Sequence, residues 1–294
     1  MRNPVSRNTQ HATRTTDHAP RSCRAFTMIE IAISLAIIGF ALVAIIGVLP
    51  IGMNVQKDNR EQTIINQDAT MFMDAIRNGA QGVDDLTNYV MAITNDVHSY
   101  DFSTMLPRPI GKFGYTPTSS DTSAQFRLTN GARIVGLLST PKYVLWQGGG
   151  GYYSNHVVAY VRSMSGPANE KFPQDNSSVQ DFTFNYMMTP EIVLYWTNYV
   201  DTSWVNYKQS GLSTNEVAVR LNYLAMANNL QANLHDVRLV FRWPLRSQGP
   251  SGSSGQSFHT IVGGQLLPVL ETNYPARVEY SNYFFQSRTY VKAP

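Results

Sequence analysis

A long apolar stretch near the N-terminus constrains this chain more than any other feature. Between Arg24 and Lys57 the only ionisable side chain is Glu30. An α-helix rises about 1.5 Å per residue, so roughly 20 residues span the ~30 Å hydrocarbon core of a bilayer. Residues 26–53 exceed that length and therefore predict a transmembrane helix. A lone carboxylate in such a helix is costly, which makes Glu30 a candidate functional residue.

The residues before this helix have the composition of a targeting segment. Residues 1–25 carry five arginines and one aspartate and are otherwise rich in Asn, Thr, Ser and His. Such a segment has little apolar surface to bury, so we expect a disordered leader that lies outside the fold. Its positive charge predicts a cytoplasmic N-terminus and an extracytoplasmic position for everything after residue 53.

Removal of residues 1–25 would change what the composition implies. The chain has 23 basic and 20 acidic residues, and without the five arginines and one aspartate of the leader these numbers become 18 and 19. The isoelectric point near 8.9 thus reflects the leader and does not indicate nucleic-acid binding. The only cysteine, Cys23, would leave with the leader, so the remaining chain could form neither a disulfide nor a catalytic thiol.

A short motif marks the junction between the leader and the helix. Residues 24–30 read Arg-Ala-Phe-Thr-Met-Ile-Glu and are followed directly by the uncharged helix. This order resembles the N-terminal cleavage and methylation signal of type IV pilins and pseudopilins. The resemblance implies that a prepilin peptidase cuts between Ala25 and Phe26 and that the new N-terminus at Phe26 is methylated. The family usually has glycine where this chain has Ala25.

Cleavage would give Glu30 a chemical role. It creates an α-amino group at Phe26, and methylation leaves that amine basic. When subunits stack, the carboxylate of one can pair with the ammonium of a neighbour, which relieves an unfavourable buried charge and favours one register. The resemblance implies the same role in subunit assembly; the alternative is that Glu30 reaches the lipid headgroups. Pro50 predicts a kink, either an extensible point in a filament or an ordinary bend at the membrane exit.

Beyond the kink the helix is predicted to continue as an amphipathic segment over residues 54–79. Apolar residues recur at intervals of four, three and four, as expected for one helical face: Ile65, Ala69, Phe72 and Ile76. Charged residues, among them Asp68, are expected on the remaining surface, and Gly79 is a natural C-cap. A single helix from about residue 27 to residue 78 follows.

The rest of the chain divides by composition. Residues 80–132 are rich in turn-forming residues and predict a variable connecting region. Residues 133–294 predict a β-rich globular domain with strands at 134–138, 143–146, 153–161, 182–187, 192–196, 217–221, 237–243, 257–262 and 277–285. The resemblance implies an antiparallel sheet packed on the outer half of the helix, an α+β fold. A narrower resemblance, to Verru_Chthon cassette pilin-like proteins, rests on residues 240–244 (Val-Phe-Arg-Trp-Pro).

Catalytic patterns are not evident in the sequence. The histidines after the leader, His98, His156, His235 and His259, show no metal-ligand spacing, and no nucleophile elbow or dinucleotide fingerprint is present. We expect no enzyme activity, no cofactor and no metal, and each histidine is expected at the surface or hydrogen-bonded.

Two functions from different classes remain open at this point. The first is a pilin or pseudopilin, major or minor, in a type IV pilus-like or type II secretion-like filament. Its partners would be other pilin-like subunits, the prepilin peptidase, and an inner-membrane platform with its ATPase. The second is an uncleaved, single-pass membrane protein whose extracytoplasmic β-domain binds a ligand.

Overall fold

A computed structural model describes residues 26–79, 83–117, 127–146, 150–165, 184–195, 208, 210–245, 252–273 and 278–292. Its contacts divide the chain into two compact units, with the boundary between Lys57 and Asp58. The described part of the first unit is helical apart from its first two residues, and the second contains the sheet. The α+β class and the order of a long helix followed by an antiparallel sheet are confirmed.

The long helix α1 spans Met28–Arg77, as the periodicity predicts. Pro50 lies inside it, and the helix continues past this residue. The last turn is followed by Gly79, whose φ of +65° favours glycine. A Cβ at Gly79 would also lie 2.6 Å from the backbone oxygen of Phe285. Both the left-handed conformation and this close approach therefore require glycine at the end of α1.

The second unit is built on a seven-stranded antiparallel sheet. Its order is β2-β1-β4-β5-β6-β7, and the short β3 also pairs with β4. The strands are β1 (Val90–Asp101), β2 (Pro107–Tyr115), β3 (Tyr143–Leu145), β4 (Gly151–Arg162), β5 (Asn185–Leu194), β6 (Leu234–Trp243) and β7 (Ser254–Gly263). A separate hairpin pairs β8 (Gln265–Asn273) with β9 (Val278–Gln286).

Within the described residues, three further helices accompany the strands. A 3₁₀ helix spans Asp84–Asn88, in the region that is rich in turn-forming residues. Helix α2 spans Gly131–Leu138, and helix α3 spans Thr214–Asn233.

The two edges of the large sheet differ in chemistry. Edge strand β2 contains Pro107, Pro109 and Lys112, and prolines and lysines are residues with which natural sheets block unwanted strand pairing. The opposite edge strand β7 contains no proline and no Lys, Arg, Asp or Glu. Of the two strands at the ends of this order, only β7 therefore carries no such residue.

The core forms between the outer half of α1 and the sheet. The four residues of the predicted helical face, Ile65, Ala69, Phe72 and Ile76, are all buried, which confirms that face. From the sheet, Tyr186 and Phe241 are fully buried, and their ring centroids lie 5.4 Å apart. In β6, residues 237, 239, 241 and 243 are buried while 238 and 242 are exposed, as the alternation predicts.

Two predicted strands are wrong, because both are helices. Residues 134–138 belong to α2, whose N-cap Asn130 accepts a hydrogen bond from the backbone N of Arg133 at 2.8 Å. Every residue of α2 except Ala132 is buried, so the run shows no polar face by which helix and strand periods could be distinguished. Residues 217–221 belong to α3, which opens with a capping box formed by Ser213 and Glu216.

The sheet also begins earlier in the chain than the predicted strands do. Strands β1 and β2 lie within residues 80–132, for which the sequence predicts a connection. Strand β1 includes Asn95, Asp96 and Ser99, polar residues that are depleted in strands or common in turns. Strand β8 has no counterpart among the predicted strands either. By contrast, predicted runs 182–187 and 192–196 both contribute to the single strand β5, as far as the described residues extend.

Asp68 corrects the prediction of a surface position. Its side chain is only 1% exposed and accepts four hydrogen bonds. Oδ2 accepts from the backbone N of Met164 at 3.0 Å and from the Tyr186 hydroxyl at 2.9 Å. Oδ1 accepts from the backbone N of Ser165 at 3.2 Å and from its Oγ at 2.8 Å. One carboxylate therefore ties α1 to the end of β4 and to β5.

We predict that Asp68→Asn destabilises the protein more than Tyr186→Phe does. The new amide group is itself a donor and would face donors, and each buried polar group left unpaired costs about 1–3 kcal/mol. Tyr186→Phe removes a single donor and leaves the carboxylate with three. Urea unfolding of the detergent-solubilised chain, followed by tryptophan fluorescence, measures both losses. Equal stability of Asp68→Asn and the unmutated chain would contradict the role of this carboxylate.

The same residue predicts a pH effect. Burial raises the pKa of Asp68 above its ordinary value of 3.8, although the hydrogen bonds from Ser165, Met164 and Tyr186 oppose the rise. The folded chain therefore holds this proton more tightly than the unfolded chain. This contribution to the free energy of unfolding is fully present below pH 3.8. It is lost as the pH rises through the pKa that Asp68 has in the folded state. As the pH rises through that value, we expect the difference in unfolding free energy between the unmutated chain and Asp68→Asn to become smaller. Tyr186→Phe keeps the carboxyl group, so its unfolding free energy should still depend on pH.

His235 predicts a pH effect of opposite sign. It is buried in β6, its ring lies edge-on to Phe285 with centroids 5.2 Å apart, and its Nδ1 has no hydrogen-bond partner among the described residues. Burial lowers its pKa from 6.5 to about 4. The contribution of His235 to the free energy of unfolding is therefore fully present above pH 6.5. It decreases as the pH is lowered towards 4. His235→Phe, which cannot titrate, should remove this part of the acid destabilisation in the same unfolding measurement; an unchanged pH profile would argue against it.

Candidate functional site

The start of α1 is held by a reciprocal pair of side chains. Thr27 precedes the first helical residue, and its Oγ1 accepts a hydrogen bond from the backbone N of Glu30 at 3.3 Å. In return, Glu30 Oε2 accepts from the backbone N of Thr27 at 2.8 Å and from its Oγ1 at 2.9 Å. This arrangement is a capping box, which satisfies amide donors that a helix start otherwise leaves without partners.

The capping box gives Glu30 a partner within its own chain. Sequence reasoning assigned Glu30 to an intermolecular contact or to the lipid headgroups and missed this role. The pattern Thr-x-x-Glu before an apolar run is the sequence signature that identifies it. A carboxylate at this position also complements the positive end of the helix dipole. Both effects reduce the cost of keeping an acid at the beginning of an apolar helix.

One carboxylate oxygen stays available for a second partner. Both hydrogen bonds from Thr27 go to Oε2, and within the described residues no hydrogen bond to Oε1 is present. The Glu30 side chain is exposed, and Phe26 is 81% exposed. Oε1 can therefore accept a hydrogen bond from an ammonium group without disturbing the capping box. Ala25, on one side of the predicted cleavage bond, lies outside the described residues.

The apolar side chains that follow have no protein neighbours to cover them. Within the described residues, α1 is the one helix long and apolar enough to cross a membrane, and none of its most apolar window is buried. Gly39, Gly47 and Gly52 have no atom within 4 Å of where a Cβ would lie. This surface suits lipid or other apolar helices, so the helix supports membrane anchoring. The kink at Pro50 stays a prediction.

The histidines occupy separate places. His98 Nδ1 lies 3.7 Å from Asp96 Oδ1, and His259 Nε2 lies 2.5 Å from Asp236 Oδ1. His235 is buried with an unpaired Nδ1 and so differs from the expected surface or hydrogen-bonded histidine. In the described part of the chain, no three His, Cys, Asp or Glu side chains form a group that could hold a metal ion.

Comparison with known proteins identifies the N-terminal segment. Residues 20–46 match the family model described as the prokaryotic N-terminal methylation motif. The match includes the end of the leader, the capping box and much of the apolar helix. No curated protein and no solved structure matches the chain. Because the matched residues end at 46, the narrower resemblance of residues 240–244 stays a prediction.

We predict that Thr27→Ala loosens the start of α1 whereas Thr27→Ser preserves it. Alanine can neither accept from the Glu30 amide nor donate to its carboxylate, and loss of such a cap costs about 1 kcal/mol. Amide hydrogen exchange in residues 28–31 should accelerate about fivefold, measured by mass spectrometry on the detergent-solubilised chain. Serine retains the hydroxyl and provides the control. Equal exchange in all three proteins would rule out the capping box.

Proposed function

We propose that this type IV pilin-like or pseudopilin-like chain is a structural subunit of a membrane-assembled filament, of the type IV pilus-like or type II secretion-like class. The observation that carries the proposal is the matched methylation motif, with Phe26 and Glu30 placed at the start of an exposed apolar helix. The motif implies a structural subunit rather than an enzyme. It also implies other pilin-like subunits and a prepilin peptidase as partners.

The proposed assembly step uses the geometry at the start of α1. Hydrolysis of the peptide bond between Ala25 and Phe26 leaves an α-amino group on Phe26. The amide of Thr27 is retained, so the capping box with Glu30 persists after cleavage. Glu30 Oε1 of one subunit then accepts from the methylated ammonium of Phe26 on a neighbour. Because both groups lie in an apolar environment, the pair forms in one axial register and disfavours others.

The proposal also implies a cellular location and an assembly route for the chain. The chain would reside in the inner membrane with its leader in the cytoplasm and residues beyond 53 on the extracytoplasmic side. After cleavage, a platform protein and an assembly ATPase would transfer it into a periplasmic or extracellular filament. Pro50 would provide the point at which the helix bends on leaving the membrane.

N-terminal mass spectrometry of the chain extracted from membranes tests the proposal directly. A methylated Phe26 at the N-terminus is the expected result. An intact chain that begins at Met1 would instead identify an uncleaved, single-pass anchor with a ligand-binding outer domain. Position 25 is alanine, where the family usually has glycine. This difference at the cleavage bond is the reason to test for the uncleaved form.

A charge substitution tests the assembly step. We predict that Glu30→Ala keeps membrane insertion but reduces incorporation into filaments at least tenfold, because the ammonium of a neighbour loses its partner. Glu216→Ala is a matched control. Glu216 forms the same capping box at α3, with Oε2 accepting from the backbone N and Oγ of Ser213, both at 2.8 Å. Immunoblots of sheared filaments should show normal incorporation for Glu216→Ala, and normal incorporation for Glu30→Ala would refute the pairing mechanism.

A further inference from the structure

An exposed apolar surface lies at one corner of the large sheet, where β1 turns into β2 and β4 begins. We call it the apolar corner and define it by Phe102, Met105, Leu106, Tyr143, Leu145 and Tyr152. Leu145 is 70% exposed, Leu106 67% and Met105 64%. These are high values for aliphatic side chains outside the membrane helix, because apolar side chains of this size favour burial by about 1.5–3 kcal/mol.

The rings of the corner form one continuous surface. Tyr100 and Tyr152 are paired across β1 and β4 and stack with centroids 4.9 Å apart. Phe102 lies 5.9 Å and Tyr143 lies 5.5 Å from the ring of Tyr152. Leu145 is the β3 partner of Tyr152, and directly paired residues lie on the same face of a sheet. The side chains of β1, β3, β4 and Phe102 thus make a single patch, and Met105 and Leu106 follow Phe102 in the turn between β1 and β2.

The turn that presents the patch is rigidly built. Asp101 accepts hydrogen bonds from the backbone N and Oγ of Ser103, at 2.8 and 2.7 Å. The backbone N of Met105 donates to Asp101 O at 2.8 Å, and Met105 itself has a φ of +53°. That conformation is unfavourable for a residue other than glycine and persists only where surrounding contacts impose it. The turn that carries the exposed apolar side chains is therefore already ordered. Binding a partner would fix few additional rotatable bonds and would lose little conformational entropy.

Charges around the corner are balanced. Lys142 Nζ lies 2.9 Å from Glu191 Oε1. Hydrogen bonds from Ser103 and the positive charge of Arg108 hold the pKa of Asp101 below its ordinary value, so this carboxylate is ionised at neutral pH beside a cation. Opposite charges offset each other in both places. Two identical surfaces with balanced rims meet without like-charge repulsion, whereas a strongly charged partner would find no excess of opposite charge.

We propose that the apolar corner is a contact surface for a second copy of this chain. Five of its six side chains, all but Tyr152, are exposed by 48–70%, which gives a patch on the order of 500 Å², at the upper end for a monomer. Together with its polar rim, the area of the apolar corner approaches the ~800 Å² that each partner contributes to a stable interface. The choice of a second copy rests on the proposed function, since a filament subunit is surrounded by copies of itself.

Photo-crosslinking of the full chain tests this contact. Cys23→Ser removes the only cysteine, and Met105→Cys then carries a maleimide-benzophenone probe in native membranes and sheared filaments. Irradiation should give a product of twice the chain mass whose peptides all derive from this chain. Adding Leu145→Asp should lower its yield about tenfold, because an unpaired carboxylate would be buried. The probe at Ser257→Cys, exposed on β7, is the matched control and should give no such product.

Each other outcome overturns the proposal. A crosslink to a different protein assigns the corner to another partner, and a crosslink within one chain shows that the chain covers its own corner. Product equal to that of the Ser257→Cys control indicates random collision. Mass spectrometry of Phe26 on the same samples separates the two hypotheses: a processed chain without the corner product refutes only this contact. An unprocessed chain that still gives the product of twice the chain mass refutes the filament function and supports the contact.

Discussion

The buried carboxylate of Asp68 joins the two main parts of the second unit. Apolar contacts between helix and sheet are non-directional, and they allow a helix to slide or rotate at modest cost. Asp68 adds direction, because its two oxygens accept from a strand end and from the ring hydroxyl of Tyr186 in the next strand. Only one rotation and one height of α1 meet both donors. The positions of Ile65 and Phe72 in the core then follow from the same alignment.

Much of the fold was predictable from local pattern. The helical face of α1 and the alternation in β6 both show a period that the structure confirms. Helix α2 was not recognised, because a short apolar run contains no information about its period. Helix α3 was not recognised, because the capping-box pattern of Ser213 and Glu216 was overlooked. Asp68 was placed at the surface on its charge alone. Its position three residues after Ile65 and four before Phe72 already puts it on the buried face, but its donors lie 96 to 118 residues away.

The sequence predicted the position of the N-terminal site, but it did not predict all of the hydrogen bonds within it. The resemblance identified Phe26 and Glu30, and the family match includes both residues. Thr27 was overlooked, although its spacing to Glu30 repeats in Ser213 and Glu216 at the start of α3. The same local device thus serves two settings. At Ser213 it stabilises a helix end, and at the start of the apolar helix it also reduces the cost of the Glu30 carboxylate.

The unequal edges of the large sheet limit how copies of this chain can associate. Proline at 107 and 109 withholds backbone donors along β2, so of the two strands at the ends of the sheet order only β7 offers an uninterrupted row of them. Repeated addition of strands needs two open edges, so this sheet does not extend into a cross-β ribbon through its own edges. The prolines of β2 thereby protect this end of the folded sheet from amyloid-like aggregation between copies.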